Sequence, residues 1–220
     1  MNLSAFEILG PIMVGPSSSH TAGACRIGAM GAKICGSGFT AVDFFLHGSF
    51  AYTYQGHGTD RALLGGVLGY APDDDRLRDA VNQANNQGLQ YAFQTLDLGD
   101  SYHPNTVKIV FHYEDRDEYI IGSSVGGGAV VIVDINGMEA NFRGLFPTLL
   151  LRYEEQSGVI AYVSGILSGN GYSIESINTV KDTLRNIVTL TVEVEKPIVA
   201  HVRNAICEAD RFLTSKYVEV

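Results

Sequence analysis

Hydrophobic positions change their period along the chain. Small apolar residues crowd Thr21–Gly36 (TAGACRIGAMGAKICG), which predicts a closely packed helix entered around Ser18–Thr21, after a break at Gly15-Pro16. "TAVDFFLHGSF" (Thr40–Phe50) then alternates as a strand does. Leu63, Leu64, Val67 and Leu68 fall at helical spacing behind Thr59 or Asp60, either of which suits an N-cap. A further helix spans Asp73–Gly88, acidic where it starts and closed by glycine. A short helix is expected near the chain start, where Ser4 and Glu7 have capping-box spacing. The β-rich runs LQYAFQTLDL, NTVKIVFHYED, EYIIGSS, AVVIVDI and MEANFRG follow, the last two joined by Asn136-Gly137, a hairpin signal.

From Thr148 the pattern becomes that of a smaller unit. TLLLRYEE reads as a strand, SGVIAYVSGILSGNG as a helix closed by Gly171, and YSIESINTV and RNIVTLTVEVE as two strands. KPIVAHVRNAICEAD reads as a helix entered at Pro197, and FLTSKYVEV as a last strand. This βαββαβ order is that of a ferredoxin-like sandwich. The expected fold class is α+β: a mixed α/β domain over residues 1–145 and a βαββαβ domain over 148–220, with a boundary near Arg143–Pro147.

Composition narrows the function classes. A 220-residue chain with 45% hydrophobic and only 18% charged residues is globular, and so few charges suggest that other protein covers part of its surface. A net charge of −9 without a basic stripe argues against nucleic acid. No secretory signal opens the sequence, and the apolar run around Ala129–Ile135 is too short for a membrane span and carries Asp134, so a cytoplasmic location is expected. Cys25, Cys35 and Cys207 have no C-x-x-C spacing, so neither a disulfide framework nor a thiolate metal site is expected in this chain. Cys25 and Cys35 read as buried small hydrophobes.

The candidate chemistry lies in loops. Ser17, Ser18, Ser19, His20 and Thr21 sit at a helix mouth, where free N–H groups favour a carboxylate. His57 lies between glycines, just before Thr59, and His103 precedes Pro104 and Asn105 on a turn. Histidines on loops beside glycine or proline are placed where an imidazole can face a ligand. His47, His112 and His201 fall within or at the ends of regular elements and read as structural.

Taken together, GPSSSHTAG, GHGTD, HPNT and SVGGG, in that order and followed by the βαββαβ tail, resemble the β chain of iron–sulfur-dependent L-serine dehydratases. The resemblance covers nearly the whole chain and implies a β unit that supplies substrate-facing histidines and hydroxyls. A separate α chain would carry a [4Fe–4S] cluster, so this chain needs no metal ligands of its own. The implied reaction turns L-serine into pyruvate and ammonia. On this resemblance His57 is the first choice for the α-proton base, His103 the alternate, and His20 orients substrate or shares in proton transfer. Ser17, Ser18, Ser19, Thr21, Thr59 and Asn105 bind substrate. The first domain also resembles the allosteric substrate-binding domain of some phosphoglycerate dehydrogenases, which leaves a non-catalytic serine-binding regulatory module as the alternative.

The tail resembles the ACT domain, which implies self-association and an amino-acid effector near Gly158, Val159 and Ile160, with Asn178 at the end of the second strand. The family's usual turn proline is replaced here by Ser157.

Overall fold

The computed structural model describes residues 12–219, so the helix expected from Ser4 and Glu7 lies outside the described residues. The chain divides into two units, with the break between Gly137 and Met138. In the first unit β1 (Ala41–His47), β2 (Gln90–Thr95), β3 (Thr106–His112), β4 (Asp117–Gly126) and β5 (Ala129–Ile135) form a mixed sheet in the order β2-β1-β3-β4-β5. β1 pairs parallel with β2 and antiparallel with β3. Alternate residues Val42, Phe44 and Leu46 of β1 and Val107, Ile109 and Phe111 of β3 are buried. Each such side chain contributes roughly 1.5–3 kcal/mol of burial.

Helix α1 (Ala24–Cys35) is preceded by a π-helical turn at Ser18–Gly23, and α3 (Thr59–Val67) packs against it. Their backbones approach more closely than any side chain would allow. A Cβ on Gly66 would lie 2.0 Å from the Cys25 carbonyl oxygen, and one on Gly28 would lie 2.3 Å from that of Leu63. The small-residue pattern of the sequence is therefore a helix–helix contact, made between the first half of α1 and the last turns of α3.

In the second unit β6 (Met138–Phe142) is followed by β7 (Thr148–Glu154), α5 (Val159–Gly169), β8 (Ile174–Asp182), β9 (Ile187–Val194), α6 (Ala200–Cys207) and β10 (Thr214–Val218). The antiparallel sheet runs β10-β7-β9-β8. Leu149, Leu151 and Tyr153 of β7 and Val188, Leu190, Val192 and Val194 of β9 share one core with Val159, Val163 and Leu167 of α5 and Val202 and Ile206 of α6. The βαββαβ order read from the sequence is the order observed.

Several local expectations are corrected. The strand expected to reach Phe50 ends at His47, and a short helix α2 (Gly48–Thr53) begins. Gly48 turns the chain there with a φ of 54°, and a Cβ at this position would strike the Pro104 carbonyl. The entry to the first long helix is the π turn rather than regular α-helix. The N-cap of α3 is Gly58, in the left-handed region, and neither Thr59 nor Asp60. The Asp73–Gly88 helix is divided into a 3₁₀ turn (Asp75–Asp79) capped by Asp74 and helix α4 (Ala80–Asn86), after which Gly88 takes a φ of 72°. α6 starts three residues beyond Pro197, at Ala200. Asn136 and Gly137 take φ values of 54° and 77°, the left-handed pair that a two-residue hairpin turn requires.

Two of the three histidines read as structural, His47 and His112, have structural partners, while His201 is exposed on α6. His47 Nδ1 accepts the Leu98 N–H at 3.1 Å. His112 places Nδ1 2.8 Å from Asp117 and Nε2 3.2 Å from Asp43. Burial opposes charge on His112, and the two carboxylates outweigh it, so its pKa rises above the ordinary value. That stability is full below pH ~6.5 and is lost as pH rises through the higher folded-state value. Asp43→Asn should therefore destabilise the first unit more at pH 6 than at pH 8.5, as read by urea denaturation. The close helix contact gives a second expectation. Gly66→Ala should lower stability by about 1–3 kcal/mol through overpacking. Gly165→Ala, in α5 with open space around its Cβ, should raise it by about 0.5–1 kcal/mol. The same denaturation series checks both.

Candidate active site

The π turn before α1 and the Gln55–Gly58 turn before α3 lie together. The His20 and His57 rings lie 4.9 Å apart at 77°, edge to face. Thr21, buried at the π turn, donates from Oγ1 to the His57 carbonyl at 3.3 Å and ties the two segments. His20 is held on three sides. Its Nδ1 is 3.4 Å from Ser17 Oγ, its Nε2 is 3.0 Å from Ser49 Oγ, and its ring meets Phe50 edge to face at 5.2 Å. Ser17 is also the cap of the turn, because its Oγ accepts the His20 backbone N–H at 3.2 Å.

Burial, and then the neighbouring His57, lower the pKa of His20 below its ordinary value. His20 is thus a neutral imidazole near neutral pH, with a hydroxyl at each nitrogen. His57 is exposed, and among the described residues its ring nitrogens make no hydrogen bond within the chain. One imidazole is fixed and the other is free to meet a ligand.

The remaining motifs join through backbone and packing. The Phe50 N–H donates to the Pro104 carbonyl at 3.4 Å, so the His103–Asn105 turn supports the segment that carries Ser49. The Ser124 N–H donates to the Asn105 carbonyl at 2.9 Å, and Ser124 packs where any Cβ on Gly23 would fall. Arg26 reaches from α1 to the Gly128 carbonyl at 2.7 Å and fastens the glycine run. Residues from all four sequence motifs therefore meet around one π turn.

The individual site residues differ in what they offer. Ser18 and Ser19 are half-buried on the turn. His103 is exposed, its Nδ1 accepts the Asn105 N–H at 3.1 Å, and it touches neither of the other two imidazoles. Asn105 enters the network through its backbone, at half-buried depth. Thr59 is fully buried, and its Oγ1 has no hydrogen-bond partner, as does Ser124 Oγ. In the second unit Gly158 is exposed with a left-handed φ of 85°, and Asn178 is exposed opposite Thr191. The Val159 side chain belongs to the core, which leaves only its backbone for a ligand.

Ser49 and Phe50 are the site residues that the sequence pattern hid, because they continue an alternating strand. Gly48 was the available signal: a glycine at a strand end followed by serine also marks a strand-to-helix turn. Beside His57 opens a cleft of about 300 Å³, bounded by Val14–Pro16, Gln55–Gly58, Arg61 and Ala62, and Leu77 and Arg78.

The chain's thiols do not fit an iron–sulfur cluster. Cys25 is fully buried, and its Sγ donates to the Tyr70 carbonyl at 3.2 Å. Burial pushes its pKa up to about 12, far from the thiolate a cluster needs. Burial also raises Cys207. Among the described residues no cluster of three or more His, Cys, Asp or Glu is arranged to hold a metal, and no helix is long and apolar enough to cross a membrane.

The family model described as serine dehydratase beta chain matches residues 4–134, the segment that carries the imidazoles. The chain is 58% identical to the L-serine dehydratase, beta chain, of Peptoniphilus asaccharolyticus over 99% of its own length and 98% of that protein. It is 36% identical to the probable L-serine dehydratase, beta chain, of Bacillus subtilis (strain 168) over 90% of each. Identity to an L-serine dehydratase of Streptomyces coelicolor is 29%, over 72% of this chain and 39% of that protein. With its matched segment forming the π-turn site and its similarity running the length of two β chains, the protein belongs to the serine dehydratase β-chain family.

Proposed function

We propose that this chain is the β subunit of an L-serine dehydratase, a lyase that works only with a separate α chain. The overall change is loss of the α-proton and the β-hydroxyl of L-serine as water. The resulting 2-aminoacrylate takes up water after tautomerising to the imine, releasing ammonia and pyruvate. The chain's thiols do not fit a cluster, so a [4Fe–4S] group is assigned to the α chain. What this chain contributes is proton handling and orientation.

The observation that carries the reading is the pair of unlike imidazoles 4.9 Å apart. His57, exposed and with no intramolecular hydrogen bond to its ring nitrogens among the described residues, is suited to take the α-proton. His20 is neutral near neutral pH with the Ser17 and Ser49 hydroxyls at its two nitrogens, so it can present one nitrogen as donor and one as acceptor. Ser18, Ser19 and Thr21 line the same turn and are assigned to substrate, with Thr59 behind them. The exposed His103 is placed on the outer turn as the alternate base.

The second unit is proposed as an ACT-type module through which the protein self-associates, with an amino-acid effector near Gly158, the Val159 backbone and Asn178. Its β10-β7-β9-β8 sheet order and the left-handed Gly158 at the start of α5 support that reading. A cytoplasmic setting is proposed with it.

His57→Ala, purified with its α chain, should lose about 10²–10⁴-fold in turnover while assembly with the α chain is retained. Anaerobic pyruvate release is the measurement, and turnover within a factor of about three of the parent would remove His57 from the chemistry. The lowered pKa of His20 makes a second test. Its titration, followed by NMR of the imidazole, should lie below ~6.5. In His57→Ala it should move upward but stay below that value, because burial is the larger cause.

A further inference from the structure

We infer that Arg61 is a carboxylate anchor: its guanidinium, on the wall of the cleft beside His57, takes the α-carboxylate of the amino-acid substrate. The inference rests on the proposed dehydratase reading and names a binding residue for that same site. The cleft is bounded on one side by His57 and on another by Arg61 and Arg78. Its volume, about 300 Å³, lies at the small end of the range for small-molecule sites (roughly 300–1,000 Å³), as a three-carbon amino acid requires. Gly15, Gly56 and Gly58 contribute no side chains to its wall.

The charge pattern selects an anion. In a chain of net charge −9, two arginines line this one cleft. Arg78 is 3.7 Å from Asp75, with both groups exposed. Arg61 differs: Asp60 accepts its backbone N–H at 2.8 Å, and among the described residues its guanidinium has no ion pair or hydrogen bond. Arginine offers a planar fork of donors that matches a carboxylate in bidentate fashion. Arg61 and His57 lie four residues apart on either side of the start of α3, and both face the same cleft. A carboxylate held at Arg61 directs the adjacent α-carbon and its proton toward the His57 imidazole, whose nitrogens carry no hydrogen bond among the described residues.

The test uses the assembled α–β enzyme. Arg61→Gln should raise KM for L-serine about 10- to 100-fold, the range expected for loss of a charged hydrogen-bonded pair. The inhibition constant of pyruvate, which keeps the carboxylate, should rise in parallel. That of L-serinamide, which lacks it, should change by less than about threefold. Arg61→Lys should recover part of the affinity, which separates charge recognition from loss of fold. Unchanged KM and pyruvate inhibition in Arg61→Gln would overturn the anchor, and so would an equal rise for serinamide. A parent-like His57→Ala would instead overturn the reading beneath it, so the two failures are distinguishable.

Discussion

The arrangement depends on one contact: the backbones of α1 and α3 meet at Gly28 and Gly66, with no side chain between them. Helix axes normally stand 8–10 Å apart, a distance set by the side chains at the crossing. Removing those side chains lets the first half of α1 lie against the last turns of α3, while a separate link joins the segments that precede the two helices. The Thr21 hydroxyl spans the gap to the His57 backbone, and the π turn supplies the extra residue that re-aims the serines before α1 begins.

Around that contact the protein treats its two imidazoles oppositely. His20 is enclosed by Ser17, Ser49 and Phe50, so its position is held before any ligand arrives, and burial disfavours its charged form. His57 is tied only through its backbone, which leaves its ring nitrogens for whatever enters the neighbouring cleft. Neutral hydroxyls around a neutral ring suit a site that handles a proton and a carboxylate together, since they orient without adding charge that would compete for either. The supporting shell is mostly backbone: Pro104 under Phe50, Asn105 under Ser124, and Gly128 under Arg26. A glycine-rich chain can place main-chain groups this closely, and that explains why the motif residues need not all face the cleft.

The second unit is organised differently. One face of its sheet shares an apolar core with α5 and α6, while β8 forms a sheet edge with exposed Ile177. An unpaired edge of that length carries a row of free backbone donors and acceptors, the usual requirement for joining another sheet. The first unit carries His20, His57 and His103, and the second presents an open sheet edge.

The sequence by itself determined most of the element types, the βαββαβ order, the turn at Asn136-Gly137, the burial of Cys25 and Cys35 and the loops that carry His57 and His103. These follow from periodicity, turn chemistry and composition, which are local. Motif order also led to the right family. The sequence could not place Ser49 and Phe50, because Gly48 ends β1 only when Pro104, more than fifty residues later, occupies the space a longer strand would need. Nor could it separate Thr59, whose hydroxyl is buried without a partner, from a helix cap, since burial depends on what packs against α3. Tertiary structure alone decided which histidine is enclosed and which is open. A ring's neighbours come from distant segments, and only the folded chain sets them side by side.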